Sequence, residues 1–191
     1  MRILRAGSWI AVFAMLSLPA FGEPVTRLHT SYYYVDGSSA TILAGQIEQK
    51  GPPGADGKRN PAQTKWNIQW KFRHVQEGVS CSMKEAAVLV GVAQTMPRWR
   101  GEAQSGAALK ARWQKFVEAL KRHEDVHKAN GIKAGTEIEA ALLSVKPHSN
   151  CEDLARTANA AAEEIVRKYQ KLDEDYDRKT RYGRSQGATL I

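Results

Sequence analysis

Cysteine is scarce in this sequence, which contains only Cys81 and Cys151 among its 191 residues. Their separation excludes a Cys-x-x-Cys redox centre. An even pair in an oxidising compartment usually forms a disulfide. Such a bond would close a loop of about 70 residues here, a constraint worth roughly 4 kcal/mol on the chain-entropy model. The alternative is a pair of buried free thiols.

Long hydrophobic runs are also missing, with one exception near the start. Residues 9–18 are uncharged and mostly apolar, Arg2 and Arg5 precede them, and the small residues Ala20 and Gly22 follow. This order is typical of a secretory signal peptide. It predicts removal of residues 1–22 by cleavage before Glu23 and a periplasmic or secreted protein. The run is too short to span a bilayer comfortably, which argues against an uncleaved membrane anchor.

The sequence lacks segregated charge. Its formal charge is +8, and loss of Arg2 and Arg5 with the signal peptide would lower it to +6. Such an excess suits nucleic acid, a membrane surface or an anionic envelope polymer. However, basic and acidic residues are interleaved, and no RNA-binding aromatic motif occurs. We therefore expect neither a nucleic-acid partner nor a stable membrane anchor.

No internal repeat is present, and the first half of the chain is typical of strands and turns. Alternating or β-prone segments fall at 29–35, 66–73, 79–83 and 86–93, and Pro97 is expected to end the last one. Glycine and proline mark residues 51–61 as a loop, whereas 40–48 has no clear pattern. The core face of the second segment should carry Trp66, Ile68, Trp70 and Phe72. These segments predict a small antiparallel sheet with one covered face.

The second half changes to helical periodicity. Between Ser105, a candidate cap, and Pro147, apolar residues recur in steps of three, four and seven on one stripe that also includes His123 and His127. Gly131 and Gly135 could bend or divide this helix. A second helix is predicted from about Asp153, followed by an extended or looped tail from Asp177. The prediction is therefore one α+β domain over residues 23–191, with a small sheet followed by two long helices.

The most specific motif is the segment His-Glu-Asp-Val-His at 123–127. On a helix, His123 and His127 lie one turn apart on the same side, so both imidazoles can reach one Zn²⁺ ion. Glu124, next to the first histidine, can take a proton from an activated water without being a ligand. This H-E-x-x-H spacing on the first long helix predicts a zincin-like domain in which His123 and His127 bind zinc and Glu124 is the general base. The alternative is a pair of core histidines bonded to ordinary carbonyl or carboxylate acceptors.

A catalytic zinc site needs a third protein ligand and one open position. Sequence spacing does not identify this ligand. The candidates are His148 in a loop, Asp177 and Tyr182 in the tail, and the second-helix carboxylates Glu163, Glu164 and Asp173. Glu137 lies ten residues beyond His127, about 15 Å along a continuous helix, and is excluded unless the helix breaks at Gly131. Gly131 is expected to leave open space beside the histidines.

The chain resembles a bacterial family of predicted secreted zinc-dependent proteases, long classed as a domain of unknown function. The resemblance spans nearly all of the mature chain. It rests on the segments YVDG at 34–37, GP at 51–52, TKWNI at 64–68, HEDVH at 123–127 and YDRKTRYGRSQGA at 176–188, together with Cys81, Trp113, Leu120 and Cys151. It implies zinc bound by His123 and His127, Glu124 as general base, and a Cys81–Cys151 bridge. The family's tail usually carries histidine just before the glycine, where this chain has Tyr182.

Two functions from different classes follow from these observations. The first is an exported zinc metallopeptidase or amide hydrolase that acts on a polypeptide or a cell-wall peptide. The second is a non-catalytic envelope protein that binds a partner and has a structural or degenerate metal site. The second alternative stays open because this chain has Tyr182 where the family usually has histidine. Neither the substrate nor the oligomeric state follows from the sequence.

Overall fold

The fold is α+β, as the sequence predicts: a three-stranded sheet is followed by two long helices. The computed structural model describes residues 24–54 and 57–191. The predicted signal peptide, residues 1–22, lies outside them. In chain order the elements are β1 Val25–Val35, α1 Ala40–Lys50, β2 Gln63–Glu77, β3 Ser80–Trp99, α2 Ala107–Leu143, α3 Cys151–Thr180 and a short 3-10 helix, Arg184–Gln186.

The sheet is mixed, so the expectation of an antiparallel sheet was only half right. Its order is β1-β3-β2: β2 and β3 form an antiparallel hairpin, whereas β1 pairs with β3 in parallel. Parallel neighbours need a long connection between them. Here α1 and the whole of β2 separate β1 from β3, which provides that connection.

The predicted segments 79–83 and 86–93 are parts of one 20-residue strand, β3. This strand continues through Pro97 to Trp99, contrary to the prediction that Pro97 ends it. Pro97 has a partner in β1, Tyr33, but pairing with β2 stops at Thr95. A missing N–H donor is tolerated where a strand has a neighbour on one side only.

Residues 40–48, an uncertain segment in the half of the chain predicted to form strands and turns, instead belong to helix α1. The side chain of Ser39 caps this helix by accepting a hydrogen bond from the Ile42 amide. Ala40, Leu43 and Ile47 are buried at helical spacing. α1 therefore completes the core cluster around Trp99, Trp113 and Phe116.

α2 is a single unbroken helix of 37 residues, and its N-cap is Gly106 rather than Ser105. Its two interior glycines do not divide it. A Cβ at Gly131 would lie 2.7 Å from Cγ of Trp66, and one at Gly135 would lie 2.3 Å from Cγ2 of Val90. Glycine at these positions lets α2 pack directly on the sheet. Trp66, and not open space, occupies the volume beside Gly131.

α3 begins two residues earlier than predicted, with Asn150 as its cap, and extends to Thr180. Asp177 therefore lies on a helix and not in an extended tail. The predicted disulfide joins Cys151, the first residue of α3, to Cys81 in β3. α3 packs chiefly on α2, which brings its C-terminal half beside the two histidines. Among the helices of the described residues, none has the length and hydropathy to cross a membrane.

Candidate metal centre

His123 and His127 point inward from α2, as the periodicity of the helix predicts. Both side chains are buried, and their rings are 4.9 Å apart in an edge-on arrangement. The two Nε2 atoms are 3.3 Å apart. Because the histidines are one turn apart on the same face, the backbone of α2 alone brings these two nitrogens together.

Asp177 on α3 provides a third donor atom at the same point. Its Oδ1 lies 3.0 Å from Nε2 of His123 and 3.0 Å from Nε2 of His127. For tetrahedral zinc with bonds of about 2.0–2.1 Å, neighbouring ligand atoms are separated by about 3.3 Å. The nitrogen pair has this separation, and each nitrogen–oxygen pair is about 0.3 Å closer. The three donors therefore fit a zinc ion with only a small outward movement.

The other nitrogen of each imidazole has its own hydrogen-bond acceptor. Nδ1 of His127 lies 3.0 Å from Oδ1 of Asp173, which also accepts a hydrogen bond from the Asn130 amide. Oδ2 of Asp173 accepts a hydrogen bond from the Trp66 indole. An acceptor at Nδ1 favours the tautomer whose Nε2 lone pair is free for a metal, which is how histidine ligands are usually oriented.

His123 is oriented by the C-terminal segment. Its Nδ1 lies 3.0 Å from Oε1 of Gln186, and its ring stacks on Tyr176 at 4.8 Å. This segment reaches the histidine through Arg181, Tyr182 and Gly183, all with positive φ angles. A Cβ on Gly183 would lie 3.2 Å from Cγ of His123, so glycine allows the turn to pass close to the ring.

The electrostatics of the centre favour a cation. Burial by itself would raise the pKa of Asp177, but hydrogen bonds from His123 and His127 outweigh burial and lower the pKa to about 2. Burial would likewise lower the pKa of His127, but Asp173 and Asp177 outweigh it and raise the pKa to about 10. Two carboxylates around one imidazole thus stabilise positive charge at this position, whether a proton or a metal ion supplies it.

Glu124 is buried next to the donor atoms, on the side facing the sheet. Its Oε2 accepts a 2.7 Å hydrogen bond from the Thr64 hydroxyl, which in turn accepts one from the Gln94 amide. Burial raises the pKa of Glu124, although the Thr64 hydrogen bond and the nearby histidines oppose this rise. Oε1 accepts no hydrogen bond from the described residues and is not among their fully buried unpaired atoms. One oxygen is therefore fixed, and the other is free to bind solvent.

A cavity of about 100 Å³ opens at the centre. Its lining comprises Asn60, Pro61, Ala62, Gln63, Thr64, Leu120, His123, Glu124, His127, Asp177 and Tyr182. The start of β2 thus forms one wall, and α2 and the end of α3 form the others. The volume is sufficient for a few water molecules or one small group beside the three donors.

Of the proposed third ligands, only Asp177 among the described residues reaches the point where the two Nε2 atoms converge. Asp173 contacts His127 from the opposite side of the ring. Tyr182 lines the cavity but is 47% exposed. The other candidates lie elsewhere: His148 pairs with the backbone of Cys81, Glu163 forms an ion pair with Arg167, Glu137 forms one with Lys168, and Glu164 is exposed.

Sequence reasoning missed the roles of Thr64, Tyr176 and Gln186. Their side chains hold Glu124 or His123, but none has a spacing pattern that links it to the motif. For the carboxylates such a signal existed. Asp173 and Asp177 are four residues apart, the same spacing as the two histidines, and continuing the predicted helix past Asp177 would have placed them on one face.

The chain belongs to a family described as bacterial protein of unknown function (DUF922), whose sequence profile matches residues 30–183. The match includes every side chain of the metal centre except Gln186. Comparisons with curated proteins and with solved structures give no match. The family description assigns no activity, so the function has to be argued from the centre itself.

Proposed function

We propose that this protein is an exported, zinc-dependent hydrolase of peptide or amide bonds with a zincin-like arrangement of its centre. The observation that carries the proposal is the convergence of Nε2 of His123, Nε2 of His127 and Oδ1 of Asp177 within 3.3 Å of one another. Three protein donors and an open cavity are typical of catalytic zinc sites, whereas structural sites have four protein ligands.

His123, His127 and Asp177 would hold the zinc ion. When bound, zinc supplies Lewis acidity, which acidifies a water molecule and polarises a carbonyl group. Asp173 and Gln186 would keep the two imidazoles in the orientation that directs Nε2 at the ion. Such outer partners commonly affect metal affinity by about 10–100-fold.

Glu124 would move the proton. Thr64 holds Oε2 at 2.7 Å, so the carboxylate has one defined orientation, and Glu124 lines the cavity beside the donor atoms. Burial raises its pKa, which makes it a stronger base than an exposed glutamate. In the proposed reaction Glu124 accepts a proton from the attacking water and then gives that proton to the leaving nitrogen. The carboxylate is thereby regenerated at the end of each cycle.

The substrate proposal is a polypeptide or a peptide of the cell wall, in keeping with the predicted export. The cavity itself holds only a small group, which suits the carbonyl at which the bond breaks. The rest of an extended substrate would lie outside it, along the start of β2 or the outer face of α2. No nucleic-acid partner is proposed.

The test compares purified wild type, Glu124→Gln and Glu137→Gln for zinc content and for cleavage of a peptide library. Glu137 is the matched control, because it lies on the same helix but in an exposed ion pair. We expect one zinc per chain in all three proteins. Cleavage should fall by about 10²–10⁴-fold in Glu124→Gln alone, the usual contribution of a general base.

Two outcomes would contradict the proposal. Full cleavage by zinc-loaded Glu124→Gln would remove Glu124 from the reaction. Wild type that is folded, takes up no zinc when zinc is supplied, and cleaves nothing would favour the non-catalytic binding protein instead.

A further inference from the structure

A groove of about 510 Å³ runs along the outer face of α2, next to the metal centre. One wall is the N-terminal half of α2 and the other is the segment 186–189. Ala108, Ala111, Ala119 and Gly187 line it with small side chains. A groove lined with small residues leaves room for the backbone of a bound chain.

The groove is positively charged. Arg112, Lys115 and Arg122 line it at a spacing of three and then seven residues, which places them on one stripe of the helix. Glu118 is the acidic residue in the lining. In the part of the chain that the structure describes, none of the three cations forms an ion pair, whereas Lys121 and Lys128 of the same helix are paired with Asp125. The cations of the groove are therefore free to bind an external anion.

The groove lies beside the metal centre and shares Gln186 with it. Gln186, which lines the groove, also accepts the hydrogen bond at Nδ1 of His123. Arg122, which lines the groove too, directly precedes His123 in sequence. A ligand in the groove would thus lie against Gln186, which positions one of the two histidines.

We propose that this groove docks an acidic, extended polypeptide segment. From Ala108 to Arg122 the helix rises about 21 Å, which matches about six residues of extended peptide. Carboxylates along such a segment would complement Arg112, Lys115 and Arg122. Single-stranded nucleic acid suits the groove less well, because it needs exposed aromatic rings for stacking and the aromatic ring in the lining, Phe116, is 3% exposed.

This inference deepens the proposed function, on which its link to cleavage rests: the hydrolase would prefer acidic polypeptides. Docking itself can be measured without turnover. The full mature chain carrying Glu124→Gln is titrated with fluorescein-labelled hexaglutamate, hexaglutamine and oligothymidylate, and fluorescence anisotropy is recorded at low and at physiological salt.

Two triple variants are compared in that background. Arg112→Gln, Lys115→Gln and Arg122→Gln remove the charge of the groove. Arg27→Gln, Lys71→Gln and Arg98→Gln remove the same charge from exposed positions on the sheet, none of them at the start of β2. We expect the groove variant to lose at least about tenfold in hexaglutamate affinity, and the sheet variant to bind as well as the parent protein. Raising the salt concentration should weaken binding in the parent but have little effect in the groove variant.

Three results would overturn the proposal: equal losses in the two triple variants, equal affinity for hexaglutamine, or tighter binding of oligothymidylate than of hexaglutamate. These results leave the proposed hydrolysis standing if the zinc-loaded wild type cleaves peptides. Conversely, hexaglutamate binding that is lost only in the groove variant supports the groove even if no peptide is cleaved.

Discussion

Asp173 and Asp177 lie one turn apart on α3 and contact opposite nitrogens of the same imidazole. Oδ1 of Asp173 is 3.0 Å from Nδ1 of His127, and Oδ1 of Asp177 is 3.0 Å from its Nε2. The two carboxylates are chemically equivalent, but their positions differ. Asp177 also reaches His123, whereas Asp173 bonds to Asn130 and Trp66. Position alone thus distinguishes a ligand candidate from a residue that orients a ligand.

This difference predicts that substitutions of Asp173 and Asp177 lower zinc affinity to different extents. Asp173→Asn should weaken zinc binding by about 10–100-fold, because a neutral amide replaces the carboxylate that orients His127, although no metal-donor atom is lost. Asp177→Asn should weaken binding more, because it removes the charged donor itself. Competition against a chelator of known affinity measures both. Glu163→Gln, exposed on the same helix, is the control and should bind zinc like wild type. Equal affinity in Asp177→Asn and wild type would exclude Asp177 as a ligand.

The space around two helical glycines, Gly135 in α2 and Gly45 in α1, predicts opposite changes in stability when each is replaced by alanine. Gly135→Ala should destabilise the protein by about 1–3 kcal/mol, because its Cβ would lie 2.3 Å from Val90. Gly45→Ala, inside α1 with no atom within 4 Å of the added Cβ, should stabilise it by about 0.5–1 kcal/mol. Urea denaturation gives both values. A Gly135→Ala protein as stable as wild type would show that α2 is not packed this closely on β3.

We expect the stability of the protein to depend strongly on whether the Cys81–Cys151 disulfide is formed or reduced. Cys81→Ser with Cys151→Ser should lower the free energy of unfolding by about 4 kcal/mol, because the bond closes a long loop in the unfolded chain. For a protein of this size that corresponds to about 10 °C in Tm. Reductant should lower the Tm of wild type to a similar value and leave the double variant unchanged. An effect of reductant on the double variant would point to a cause other than this bond.

The proposed export predicts a defined N-terminus for the mature protein. When the full chain is expressed in a secreting bacterial host, mass spectrometry of the mature protein should find Glu23 as the first residue. Ala20→Leu should block this processing, because the peptidase requires small residues before the cut. Mature protein that retains residues 1–22 would contradict the signal-peptide prediction.

Local sequence periodicity determined the parts of this protein that depend on one helix or one strand. The spacing of His123 and His127 fixes their shared face on any α-helix, and the alternation of Trp66, Ile68, Trp70 and Phe72 fixes which side of β2 packs against the core. The presence of only two cysteines limited any intramolecular disulfide to Cys81–Cys151, the bond that the structure contains. None of these inferences needed to know which elements are neighbours in space.

Tertiary structure decided everything that depends on contacts between distant segments. Glycines 131 and 135 gave no local sign that they lie against Trp66 and Val90, and the parallel pairing of β1 with β3 has no signature within either strand. The choice of Asp177 over Tyr182, His148 and the other carboxylates depended on how α3 packs on α2. Sequence spacing fixes directions along one element, but only packing fixes the distance between side chains that are 50 residues apart in the chain, as His127 and Asp177 are.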